Sequence, residues 1–199
     1  DSLFGKTILL HSEQGLGDTI QFSRYVQKFD DLRCTVYLEV EKPLVRLMET
    51  LMPRGQVFEK GSKLPEFHYH CPLMSLPLAF QTKSDSIPCI TPYLGVSSSR
   101  VQWWHKHLGP KTTPRVGIAW HGNPSHPKNH QRSMSLPDII NDLSPNFDWY
   151  SLQIQVSQED EEIVTRSGKI THFGELIGDF AETAALCSVL DAVICVDTS

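Results

Sequence analysis

Short apolar runs bounded by polar turns alternate along the chain with stretches whose apolar residues recur every three or four positions. The runs read as buried strands and the stretches as amphipathic helices. Lys6–His11 is the first such run, and the turn Ser12–Gly17 follows it, after which Asp18 is placed to cap a helix. That helix carries Phe22, Tyr25, Val26 and Phe29 on one face. Cys34–Val40 is the next strand, and Pro43 suits the first turn of a helix that turns Leu44, Leu47, Met48 and Leu51 inward. Gln56–Glu59 reads as a short strand, Phe67–Met74 as another, and the proline-punctuated stretch 75–92 carries no clear period.

After a helix opening at Val96–Arg100 and a linker-like Gly109–Pro114, the rhythm restarts. Arg115–Trp120 is a strand, a long polar loop runs to Ser135, and Leu136–Leu143 is a helix. Asp148–Gln153 is a strand, and an acidic helix begins at Ser157 with its carboxylates where the helix dipole favours them. Ile170–Phe173 is a short strand, Asp179–Glu182 starts a helix ending near Leu190, and Ala192–Val196 is the last strand. Strand and helix in strict alternation predict parallel sheets covered by helices. The chain therefore divides into an α/β unit over 1–95, a linker over 96–112 and a second α/β unit over 113–199. Rossmann-like units usually have five or six strands. The second half offers four and the helix after Asp197 would lie past Ser199, so this half reads as truncated.

Composition narrows the class. Over 199 residues, 40% are hydrophobic and 21% charged, an ordinary globular mixture. The net charge of −5 argues against nucleic-acid binding, and no apolar run is long enough to span a bilayer. The five cysteines are odd in number, form no CxxC pair, and mostly sit in apolar stretches. They read as free thiols of a reducing, cytoplasmic compartment.

Three segments carry candidate chemistry. In the turn Glu13, Gln14, Gly15, Leu16, Gly17, Asp18, glycines between strand and helix let a ligand approach the backbone, or else make a tight turn before a cap. The loop His121–Ser133 gathers His121, His126, His130, Lys128 and Arg132. It admits three readings: a phosphate held by Arg132 and Ser133, a metal held by the histidines, or a solvated loop with no ligand. The turn Asp197, Thr198, Ser199 either offers backbone N–H groups to an anion or caps an ordinary helix. His68 and His70 read as a packed or surface pair, and Trp103 and Trp104 as packing at the seam between the units. No GxSxG, P-loop or HExxH motif occurs.

Four stretches taken together, LLHSEQGLGDTIQFSRYV, CPLMSLPLAF, VGIAWHGNPSHPKNHQRSMSL and DFAETAALCSVLDAVICVDTS, resemble the glycosyltransferase-like region of bacterial tetratricopeptide-repeat proteins. That region is similar in turn to the lipopolysaccharide heptosyltransferases of glycosyltransferase family 9. The resemblance implies a GT-B-like fold of two Rossmann-like domains facing across a cleft, the first for an acceptor and the second for a nucleotide sugar. It implies transfer of a hexosyl or heptosyl unit to a protein, lipid or glycan acceptor, inverting and metal-independent, with no cofactor. By the same resemblance Asp18 is the base, with Glu13 its rival, in a turn where Gln14, Gly15 and Gly17 face the acceptor. Arg132, Ser133, Asp197, Thr198 and Ser199 then face the donor phosphates. Two positions depart from the family: Ser199 stands where a glycine is usual, and Arg132 where lysine is frequent. The alternative expectation is a non-catalytic GT-B-like module attached to a tetratricopeptide array.

Overall fold

The computed structural model describes residues 2–52, 56–123 and 128–198. The chain separates into two compact units, Asp1–Gly95 and Val96–Thr198, apart from the last residue. Each is built on a parallel four-stranded sheet, and the two sheets share one strand order.

In the first unit the strands are β1 (Thr7–His11), β2 (Thr35–Val40), β3 (Gln56–Glu59) and β4 (Tyr69–Pro72), arranged β3-β2-β1-β4. β1 and β2 pair from Thr7 with Thr35 to His11 with Glu39, and β4 joins the other side of β1 with Leu10 opposite Cys71. The buried residues Ile8, Leu9 and Leu10 make β1 a central strand, as its unbroken apolar run requires. The helix after it, α1 (Leu16–Ser23), starts before Asp18, and a 3₁₀ segment continues it over Arg24–Leu32. Tyr25, Val26 and Phe29 are buried as the periodicity predicted, while Phe22 is only half-buried. The predicted second helix is a 3₁₀ turn over Lys42–Leu44 running into α2 (Val45–Glu49), with Leu44, Leu47, Met48 and Leu51 all buried. The short α3 (Leu76–Ala79) follows β4 and places Leu76 in the core.

The second unit opens with α4 (Ser98–Leu108), so the stretch expected to connect the units supplies a core helix. Trp104 is fully buried against Ile177, Ala185 and Leu186 of this unit, which corrects its expected place at a seam. α4 packs on the helix before the last strand, and that contact covers the indole. The strands β5 (Arg115–Ala119), β6 (Asp148–Ser151), β7 (Ile170–Thr171) and β8 (Ala192–Cys195) are ordered β7-β6-β5-β8. α5 (Asn129–Arg132) and α6 (Leu136–Ile140) lie between β5 and β6, α7 (Gln158–Ser167) between β6 and β7, and α8 (Phe180–Cys187) between β7 and β8. α6, α7 and α8 begin at or beside their expected starts, whereas α5 lies within the stretch expected to be loop. Ser157 caps α7 through Asp160 N–H, and Asp179 caps α8 through Glu182 N–H, as polar residues at helix starts should. One face of the sheet packs Val116, Ile118 and Trp149 against Leu136, Ile140, Ile163 and Val164.

Candidate functional site

Both sheets have a topological switch point at their carboxyl ends, where successive loops leave in opposite directions and a crevice opens. In the first unit it lies between β1 and β4, and in the second between β5 and β8. The three segments singled out in the sequence all leave a strand at these points.

The turn after β1 is anchored before it reaches Asp18. Ser12 is buried, its N–H donates to Glu39 O at 3.0 Å, and its hydroxyl donates to Glu41 Oε1 at 2.9 Å. Lys60 Nζ joins the same carboxylate oxygen at 3.1 Å, so one cluster ties together the carboxyl ends of β1, β2 and β3. Neither Glu41 nor Lys60 stood out in the sequence, because they lie 29 and 48 residues from Ser12. Gly15 is the residue capping α1, and Asp18 sits three positions inside. Asp18 Oδ2 accepts the Gly15 N–H at 3.1 Å, which corrects its expected place as the cap itself. A carboxylate one turn in satisfies a donor that the helix leaves open, and its charge meets the positive end of the dipole. Thr19 is buried beneath the turn and returns its hydroxyl to Gly15 O at 3.2 Å. Glu13, Gln14 and Gly15 are exposed, while Gly17 and Asp18 are half-buried. Burial raises the Cys71 thiol pKa on the neighbouring strand, and the charge of Glu13 adds to it. His11 and His70 face each other across β1 and β4 with ring centroids 5.7 Å apart.

The loop after β5 is held from below. Gln153 Oε1 accepts both Trp120 N–H at 3.0 Å and His121 N–H at 3.1 Å. The Trp120 indole, fully buried, donates to Asp160 Oδ2 at 3.0 Å. His121 Nδ1 lies 2.9 Å from Gly122 O. The loop returns as α5, which carries Asn129 and Arg132 one turn apart, with Ser133 just past its end in extended backbone. Asn129 Oδ1, Arg132 Nε and Ser133 Oγ are buried without a partner among the described residues. His126 lies outside those residues. Among them no three His, Cys, Asp or Glu side chains gather as a metal site.

The loop and the last strand meet on neighbouring residues of β5. Met134 N–H donates to Trp120 O at 2.7 Å, and Val196 N–H to Ala119 O at 3.0 Å. Ser133 and Asp197 therefore each sit one residue from a group bonded to the end of β5. Asp197 is exposed and Thr198 half-buried, and Ser199 lies outside the described residues. An apolar cavity of about 200 Å³ opens beside Met134 and Val196, lined by Ile118, Trp120, Met134, Leu143, Ile194 and Val196. The site thus offers a guanidinium, a hydroxyl, backbone donors and an apolar wall.

No protein-family model and no curated protein matches the chain. Solved structures do. The chain is similar to an Escherichia coli ADP-heptose lipopolysaccharide heptosyltransferase II, with TM-score 0.53 and 9% identity over 96% of this chain and 79% of that one. It is similar to the glycosyl transferase family 9 structure from Veillonella parvula DSM 2008, with TM-score 0.61 and 11% identity over 97% of this chain and 76% of that one. It is also similar to the iron-containing dodecameric glycosyltransferase TibC of enterotoxigenic E. coli H10407, with TM-score 0.65 and 14% identity, and spans 54% of that chain. The likeness is one of fold. The chain has the two-unit, GT-B-like α/β architecture of family 9 glycosyltransferases, and no described helix is long and apolar enough to cross a membrane.

Proposed function

We propose that the chain is the sugar-transferring region of a glycosyltransferase, with a nucleotide-sugar donor on the second unit and an acceptor hydroxyl on the first. The observation that carries this reading is that the loop bearing Arg132 and Ser133 and the strand leading to Asp197 are bonded to adjacent residues at the end of β5, in a fold shared with family 9 enzymes. Arg132 and Ser133 with the backbone at Thr198 bind the donor diphosphate, and the apolar cavity beside Met134 takes the face of the base. Asp197 belongs to the same turn, and Ser199, outside the described residues, is proposed with it as a phosphate-facing residue.

The reaction is an inverting displacement without a metal. The acceptor oxygen attacks the anomeric carbon, the bond to the diphosphate breaks, and its electron pair leaves on phosphate. Arg132 stabilises the charge that grows there. Asp18 takes the acceptor proton, since Gly15 N–H fixes one of its oxygens and orients the other. Glu13, earlier in the same turn, is the rival base. The donor is an ADP- or UDP-linked hexose or heptose, the acceptor a glycan, lipid or protein, and no cofactor takes part.

Asp18→Asn keeps the cap geometry and removes the base, so transfer should fall by about 10²-fold or more, read by product formation from ADP- and UDP-sugars. Undiminished transfer would reassign the base to Glu13. The bond from Gly15 to Asp18 also suits a second reading, a binding module in which Asp18 only accepts the Gly15 N–H at the start of α1. Nucleotide-sugar binding without turnover in the unaltered chain would favour it.

A further inference from the structure

We infer that Gly122 is the positioning residue for Arg132, and that it fixes which donors of the guanidinium meet the diphosphate; this rests on the donor reading above. A Cβ added at Gly122 would lie 2.7 Å from Arg132 Nη2, 2.8 Å from Nε and 2.9 Å from Cζ. The three nearest atoms all belong to one head group, so the guanidinium rests against the bare Cα. Gly122 is buried beneath it and has no positive φ, unlike Gly5, Gly61, Gly109, Gly168 and Gly174. Its backbone thus admits any residue. What excludes a side chain there is Arg132.

The seat itself is rigid. Gln153 holds the two residues before it through their N–H groups, and the His121 ring holds its carbonyl. Arg132 Nε is sealed on this side, buried with no acceptor among the described residues. Nη2 lies closest to the seat as well, so the seat governs how the terminal Nη1 and Nη2 donors turn toward a phosphate. A lysine has no planar head to lie on the seat, so Gly122 and Arg132 form a matched pair.

A methyl at Gly122 would push the head group outward by several tenths of an ångström, and a flexible side chain moves more readily than the backbone below it. Gly122→Ala should therefore leave folding intact and misplace the donors. ADP and UDP would be titrated calorimetrically into the unaltered chain, Gly122→Ala, Arg132→Ala and the double variant. The melting temperature of each would be recorded, and Arg132 labelling by phenylglyoxal would be followed without nucleotide. Gly122→Ala should bind about tenfold more weakly with an unchanged melting temperature, the double variant should match Arg132→Ala, and Arg132 should label faster. Unaltered affinity in Gly122→Ala, or an added loss on top of Arg132→Ala, would overturn the assignment. If the unaltered chain binds neither nucleotide, the donor reading falls, and labelling alone decides the seat: an unchanged Arg132 rate overturns it.

Discussion

Asp18 was legible as a helix-start residue but not at its correct position, because an aspartate serves a helix either as the cap or one turn in. Glycine at 15 left both choices open, and the backbone decided for Gly15 as cap. Gly122 and Gln153 were not legible at all. Their roles depend on Arg132 and on the ends of β5, and only folding brings those groups together. His172 makes a testable case at the same scale. Burial lowers its pKa below the ordinary 6.5, against a smaller opposing effect of Glu161, and its Nδ1 is buried without a partner among the described residues. The unfolded chain then binds this proton more readily than the folded one. Stability should be complete above pH 6.5 and fall as the pH drops below it. His172→Gln should flatten that decline in urea midpoints measured from pH 7.5 to 5, and an unchanged slope would remove His172 as its source.

Elements were the most readable level, since all eight strands fall inside or beside the apolar runs that predict them. The helices are shorter than their periodicity suggested: a 3₁₀ turn holding Pro43 takes the place of the first turn of α2, and α6 stops at Ile140. The partner of α4 was invisible, for its lock is a long-range ion pair. Arg100 reaches Glu182 with Nε 2.8 Å from Oε1, and Trp104 Nε1 donates to Oε2 at 3.3 Å. Glu182 is buried and Arg100 partly exposed, which keeps the penalty of breaking the pair at the lower end of its range. Glu182→Gln should cost about 3 kcal/mol in urea unfolding of the second unit. A change below about 0.5 kcal/mol would mean that the pair behaves as a surface bridge.

The division into two α/β units was legible because the strand–helix rhythm visibly stops and restarts. The strand order was not, since every parallel arrangement leaves the same local pattern. Among the described residues β8 is an outer strand of the second sheet, with Val193 44% and Ile194 55% exposed. Such an edge pairs readily with other chains. Ile194→Lys should lower the concentration-dependent mass measured by light scattering, whereas an unaltered chain that stays monomeric at high concentration would show that the edge is protected.

The shared strand order also shapes how the chain comes off the ribosome. In both units the first described strand is central, and one of its neighbours follows the other described strands of its sheet. β1 ends at His11 but waits for Tyr69 to open β4, 58 residues later, and β5 ends at Ala119 but waits for Ala192, 73 residues later. At about 5–20 residues per second, those gaps last roughly 3 to 15 seconds. During that time a strongly apolar strand has one bare side. The first unit can close before β8 exists, so the growing chain carries at most one unfinished sheet at a time.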